Sequence, residues 1–381
     1  MSGPLAGIRV VEFAGLGPTP FAAMMLADMG ADVIRLDRPG GPLMSAGDGR
    51  LAFLNRSRAS VAVDLKSEQG RDFARGLIER ADIVIEGFRP GVMERLGLGP
   101  EVVAGPDTRL IYGRMTGWGQ QGPLADKAGH DINYIAMTGA LHMVGPADRP
   151  PPPPLNLFGD YGGGALFLVT GILAALVERG RSGRGQVVDA AMVDGAASLL
   201  TELFAWRAMG FWTDERGANL LDGGAYFYRC YATSDGRYMA IGAIEPQFHA
   251  AFITGLGLDP ADFPDHMDRR QWHDRALRIE AVFRTRTRAE WVETFEPHDA
   301  CVTPVLTPAE AAEHPANTDR RVFTAGDAPQ PVPAPRLSRT GSRIASPPGL
   351  PGEGGRAALI RFGVPTAAFE PLIGQGILRA E

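Results

Sequence analysis

Short β-like runs alternate with helical segments through the first third of the chain, and this alternation constrains the fold more than any other feature. Ile8–Phe13 reads as a strand, Phe21–Met29 as a helix and Val33–Leu36 as a second strand. Val61–Leu65, Asp82–Ile85 and Leu110–Tyr112 continue the strand series, with a helical pattern over Glu68–Arg80. Repeated strand–helix–strand units predict an α/β domain built on a mostly parallel sheet. Helices suited to packing on that sheet follow at Ala165–Arg179 and Ala190–Met209.

The texture changes after about Gly217. Ala225–Thr233, the dipeptide Asp235-Gly236 and Arg237–Ile241 predict a β-hairpin, with helices near Pro246 and Arg288. The expected division is a large domain over 1–215, a smaller α+β domain over 216–325, and a segment over 326–381. That last segment opens as a proline- and glycine-rich connector and ends in helical stretches that need a core, which returning to the first domain would supply. Pro150–Pro154 reads as a rigid polyproline spacer.

Thirty-eight basic residues against 44 acidic ones give a net charge of −6, which argues against a general nucleic-acid or anionic-membrane binder. Cys230 and Cys301 are too few for a disulfide framework and lack metal-type spacing, so a reducing compartment and no metal site are expected. The opening residues have no signal-peptide character, and the final residues are not a peroxisomal Ser-Lys-Leu-type ending. The apolar stretch Ala165–Val177 is short for a bilayer span. A soluble cytoplasmic protein is the expectation.

Gly15-Leu16-Gly17-Pro18-Thr19-Pro20 follows a strand and opens a helix, and Asp37 ends the next strand. This approaches a dinucleotide fingerprint, but Pro20 replaces its third glycine, and Arg35 and Arg38 flank the acid. The basic residues form a more coherent set. Arg38 closes the second strand, Arg56 and Arg58 precede the third, Lys66 follows it, and Arg89 and Arg95 follow the fourth. Ligands of open parallel sheets bind beyond the carboxyl ends of the strands, where several of these cations could meet a ligand's phosphates. The plain alternative is a solvated rim of arginines.

Several motifs recur in order. They include Gly-Ala-Asp-Val-Ile-Arg-Leu-Asp-Arg-Pro at 30–39, Leu-Asn-Arg-Ser-Arg at 54–58, Val-Asp-Leu-Lys at 63–66 and Glu-Gly-Phe-Arg-Pro-Gly at 86–91. Glu-Arg-Leu-Gly-Leu-Gly at 94–99, Ala-Gly-His-Asp-Ile-Asn-Tyr at 128–134 and Gly-Asp-Tyr-Gly-Gly-Gly at 159–164 follow. The series ends with Gly-Arg-Gly-Gln-Val-Val-Asp-Ala-Ala-Met at 183–192 and Gly-Ala-Ile-Glu-Pro-Gln-Phe at 242–248. Together they resemble the 2-methylacyl-CoA racemases of the family III CoA-transferase superfamily, over nearly the whole chain to about residue 345. The resemblance implies a large doubly wound, Rossmann-like domain plus a small domain, in an interlocked homodimer with the active site between chains. It implies an acyl-CoA substrate and no cofactor beyond it. It assigns CoA contacts to Arg38, to Val63, Asp64, Leu65 and Lys66, to Gly87, Phe88 and Arg89, and to Arg95. Acyl-side contacts fall on Gly129, Asp131, Ile132, Asn133 and Tyr134. His130 and Asp160 match the acid/base pair, and Glu245 a carboxylate from the partner chain.

Racemisation beside a thioester needs two acid/base groups flanking the carbon and fixed donors for the enolate oxygen. Of seven histidines only His130 sits in a glycine-led motif next to a carboxylate, Asp131. Asp131 either orients the imidazole or caps the helix that begins there. Asp160 lies where a loop enters the long apolar helix. An N-cap is its plain reading, and Gly162-Gly163-Gly164 would let a ligand approach backbone donors. Glu245, before Pro246, reads from the residues alone as a cap, and only the resemblance promotes it. The rival readings are a CoA-transferase with Asp160 as nucleophile and a silent CoA-binding scaffold.

Overall fold

The computed structural model describes residues 3–40, 49–105 and 108–381. In chain order its strands are β1 (Arg9–Phe13), β2 (Asp32–Asp37), β3 (Ala59–Val63), β4 (Ile83–Glu86), β5 (Ile111–Thr116), β6 (Val187–Ala191), β7 (Tyr228–Ala232), β8 (Tyr238–Gly242), β9 (Val302–Pro304) and β10 (Leu378–Arg379). The chain forms two compact units.

The first unit comprises 3–138, 155–199 and 321–381 of the described residues. Its sheet runs β10-β3-β2-β1-β4-β5-β6, with every pairing parallel except that of β10 with β3. This order, 3-2-1-4-5-6 with one added antiparallel edge, is that of a doubly wound sheet, with its switch point between β1 and β4. Alternate side chains explain why the strands read as mostly apolar. Val10, Val33, Ile83 and Ile111 bury on one face, and Val11, Ile34, Val84 and Tyr112 on the other. Pro18 opens the helix Pro18–Asp28, and Ser67 caps Glu68–Ile78 by accepting from the Gly70 amide at 3.0 Å.

Three sequence expectations need correction here. Val187–Ala191 is the edge strand β6, so the helix expected over Ala190–Met209 is instead two helices, Met192–Leu199 and Thr201–Ala208. Asp160 is not an N-cap: it lies inside a π-helical segment, Leu157–Ala165, that runs straight into the α-helix Leu166–Ser182. The whole stretch Leu157–Ser182 is long and apolar enough to cross a bilayer, so the helix is not too short for a span. Leu168, Val169, Ile172 and Ala175 nevertheless bury in the same core as Ile111 and Met115, which is the place of a central core helix.

Nor do all the arginines form a cationic rim. Arg35 pairs with Asp37 at 2.8 Å, Arg56 with Asp28 at 2.6 Å and Arg58 with Glu12 at 2.5 Å, all buried. A buried guanidinium without its carboxylate costs about 3–5 kcal/mol, so these pairs are architecture. Arg56 also donates to the Pro331 carbonyl at 2.7 Å, fastening the proline-rich connector to the first unit. Ser60 Oγ accepts from the Gly352 amide at 2.8 Å further along the same segment.

The second unit comprises 139–154 and 200–320. Its boundaries fall at Leu200 and Arg320 rather than at 215 and 325, and it takes in the excursion Gly139–Pro154. Arg216 holds that excursion by donating to the carbonyls of Pro146 at 3.0 Å and Arg149 at 2.8 Å. The strands β7-β8-β9 form an antiparallel sheet whose first two members are the hairpin expected from the sequence. Its core gathers Tyr226, Phe227, Phe252, Phe283 and Trp291.

Candidate active site

Two of the cavities at the carboxyl ends of the first unit's strands hold most of the residues named from the sequence. The smaller, about 370 Å³, is lined by Leu16–Thr19 after β1, Gly87–Pro90 after β4, and Met115–Trp118 at the end of β5. Lys127–His130, Tyr134, Asp160 and Met192 complete it. The larger, about 810 Å³, is lined by Arg38, Val63–Lys66, Arg71, Val92 and Gly376 among others, and it shares Phe88 and Arg89 with the smaller.

The loop Gly87-Phe88-Arg89 owes its course to two contacts. A Cβ at Gly87 would lie 2.2 Å from Thr19 Oγ1, so only glycine lets the loop rest on the helix Pro18–Asp28. Glu86, buried on β4, accepts from the Phe88 amide at 2.8 Å and from Arg114 Nε at 2.9 Å. Burial pushes the Glu86 carboxyl up, against the opposing pull of that amide and of Arg114.

His130 precedes the helix Asp131–Thr138 and is exposed at the mouth of the smaller cavity. Asn133 reaches back to accept from the His130 amide at 3.1 Å, half of a capping box. Tyr134 is buried, donates to the Gly129 carbonyl at 2.5 Å and meets Trp118 edge-on at 4.8 Å. Cβ atoms at Gly117 and Gly129 would lie 2.2 and 2.7 Å from its ring, so the two glycines form its slot. Burial first, and then the Asp160 and Asp131 charges, push the Tyr134 hydroxyl up to about 12.

Asp131 neither caps its own helix nor turns towards the imidazole. Its Oδ2 accepts from the amides of Gly159 at 2.6 Å and Asp160 at 2.7 Å, across to the π-helical segment. Asp160 Oδ2 accepts from Asn156 Nδ2 at 3.3 Å. Burial raises its proton affinity and the Asp131 charge adds to this, while Asn156 and His130 oppose. The amides of the glycine run are drawn into the π-helical ladder, so they are not the open donors that the sequence suggested.

The dinucleotide reading fails on the same geometry. A Cβ at Gly17 (φ +62°) would lie 2.8 Å from Asp160 Oδ2, so the protein's own carboxylate holds the space where a pyrophosphate would sit. Asp37 is bonded to Arg35 and to Ser60 Oγ, at 2.8 and 2.5 Å, so its carboxylate is already engaged within the protein.

A model of the family described as "CoA-transferase family III" matches residues 5–354. The chain belongs to CoA-transferase family III. Relatives include the alpha-methylacyl-CoA racemases of Mus musculus, 49% identical, and Homo sapiens, 46% identical. Each alignment covers 88% of this chain and 87% of the relative. A solved CAIB/BAIF family protein from Brucella suis superposes with a TM-score of 0.79 at 27% identity, over 95% of this chain and all of that one. Its likeness matches the α/β architecture described above.

Set against this family III framework, the residues proposed from the sequence divide clearly. Gly129, His130, Tyr134 and Asp160 line the smaller cavity with Gly87, while Arg38 and Val63–Lys66 line the larger. Phe88 and Arg89 belong to both. Asp131, which is buried, and Ile132, Asn133 and Arg95, which are exposed, line neither cavity. Glu245 is in the second unit, exposed, at the start of the helix Pro246–Gly255. Its side chain makes no capping hydrogen bond, so the plain capping reading fails. The sequence reading missed Arg71, which lines the larger cavity and donates to the Leu65 and Lys66 carbonyls at 3.3 and 2.7 Å. Its position four residues into a helix gave no sign that it would turn back onto the preceding loop. Among the described residues, no group of three or more His, Cys, Asp or Glu is placed to hold a metal ion.

Proposed function

We propose that the protein racemises 2-methylacyl-CoA thioesters by moving the proton on the carbon next to the thioester. One observation carries this reading: an imidazole and a carboxylic acid, His130 and Asp160, face the same small cavity, which adjoins a larger one with cationic walls. The CoA portion would lie in the larger cavity, its phosphates near Arg38, Lys66, Arg71 and Arg89. The acyl end would pass Phe88 into the smaller one.

One base removes the α-proton and leaves an enolate, and the opposite acid returns a proton to the other face. The enolate oxygen needs donors. Among the first amides of the helix Asp131–Thr138, those of Asn133 and Tyr134 donate to the His130 carbonyl at 2.8 and 3.3 Å, which leaves those of Asp131 and Ile132, next to His130, to meet that need. A half-buried carboxyl with raised proton affinity, as at Asp160, can hold the proton that the return step delivers. The scheme uses no cofactor beyond the CoA substrate, and it suits a soluble cytoplasmic enzyme.

The test is proton NMR of a 2-methylacyl-CoA in deuterated water with no acyl acceptor present. The α-hydrogen is expected to exchange while both stereoisomers accumulate. Absence of exchange would reject the racemase and leave a CoA-transferase or a silent binder.

The working form we propose is a homodimer in which Glu245 of the partner subunit assists His130. The helix Thr201–Ala208 buries none of its residues within its own chain, and Phe204 and Phe211 are 52% and 62% exposed. Apolar surface of this kind is normally covered by another chain. Refolding a mixture of His130→Ala and Glu245→Ala chains is expected to restore part of the activity, since one hybrid site would hold both groups. An active monomer in sedimentation would end this proposal.

A further inference from the structure

Asp131 is a buried carboxylate, 5% exposed, that the two-base scheme does not use. Its Oδ2 takes two short hydrogen bonds from the Gly159 and Asp160 amides, while its Oδ1 is buried with no hydrogen-bond partner among the described residues. Gly159 is shaped to this contact, since a Cβ there would lie 2.8 Å from Asp131 Oδ2 and 2.9 Å from Cγ. Any other residue at 159 would push the two segments apart.

We infer that Asp131 is a positioning residue that fixes Asp160 against His130 and holds a negative charge beside the Asp160 carboxylate. This deepens the racemase reading and rests on it for the meaning of Asp160. The linkage is short. His130 is covalently joined to Asp131, whose carboxylate grips the amide of Asp160 itself. Two groups that must flank one carbon are thereby registered through a single side chain, where a displacement of 1 Å can cost about 10²-fold in rate.

The electrostatic part has a definite sign. The charged and titratable groups facing Asp160 are Asp131, His130 and Tyr134, with Arg89 and Lys127 lining the same cavity. Of the two groups acting on Asp160 by charge, Asp131 raises its proton affinity and His130 lowers it. An Asp131→Asn change keeps an acceptor for the two amides but removes the charge. Asp160 should then lose its proton at lower pH than in the wild type.

The deciding measurement is a pH titration of the Asp160 carboxyl by ¹³C NMR on protein labelled at aspartate carboxyls. The signal is assigned by its absence in Asp160→Asn, and the ligand-free full-length chain is used. In Asp131→Asn the Asp160 midpoint is expected to move to lower pH, and the acid limb of α-proton exchange should move with it. In Asp131→Ala, which loses both hydrogen bonds, turnover is expected to fall about 10²-fold with KM little changed. An Asp160 titration in Asp131→Asn that superimposes on the wild type would overturn the inference, as would near-wild-type turnover in Asp131→Ala. The carboxyl titration reads Asp160 directly. A wild type that exchanges no α-hydrogen would therefore sink the racemase reading while leaving this result interpretable.

Discussion

An Asp160→Asn enzyme is expected to stay folded and to lose racemisation by about 10²–10⁴-fold, the contribution of a positioned acid/base. The side chain is isosteric. It can still accept from Asn156, and it fits beside Gly17, where there is no room for anything larger. What it lacks is a proton that can leave and return. His130→Gln should show a loss of the same size. Exchange of the α-hydrogen from each pure isomer in deuterated water separates the two roles. Each variant is expected to retain exchange from the isomer whose base survives, while inversion fails in both. Full racemase activity in folded Asp160→Asn would reject the two-base scheme. An acyl group trapped covalently on Asp160 would favour the transferase.

The second large effect is expected far from any proton. A Cβ at Gly195 would lie 1.8 Å from the Gly163 carbonyl oxygen, and one at Gly163 would lie 2.6 Å from the Ala196 nitrogen. The helix Met192–Leu199 and the π-helical segment therefore touch backbone to backbone, and the segment that must shift to admit a methyl group is the one carrying Asp160. Gly195→Ala is expected to cost about 1–3 kcal/mol from overpacking and about 10²-fold in turnover from displacement of Asp160. Gly180→Ala is the control. It lies in the helix Leu166–Ser182 with open space around its Cβ, and should stabilise slightly through helix propensity. Thermal melting and the exchange assay together check both. Wild-type turnover in Gly195→Ala would show that the contact does not place Asp160.

The parallel sheet was legible because strands buried on both faces leave apolar runs such as Val61–Val63 and Ile83–Ile85, bounded by polar residues. The edge strand β6 was not. Val187 and Asp189 are exposed, and Ala190-Ala191 favours a helix as readily as a strand, so period and propensity pointed into the next helix. The π-helical segment around Asp160 leaves no periodic signal, because nine residues are too few to tell its period from that of an α-helix. The roles of Arg35, Arg56 and Arg58 were hidden differently. Glu12 and Asp28 lie 46 and 28 residues from the arginines they neutralise, and only the fold brings them together. His130 and Asp160 stood out through their motifs. The clamp by Asp131 did not, because a buried acceptor and a capping acid look alike in sequence.

The two cavities overlap only at Phe88 and Arg89. On the reading above, one of them grips a handle common to every CoA thioester and the other meets the part that differs from one thioester to the next. Mutations in the second can therefore reshape which acyl groups are accepted without first loosening the grip on the handle. A lineage built this way can change its clientele by small inherited steps, each intermediate still able to hold its substrate.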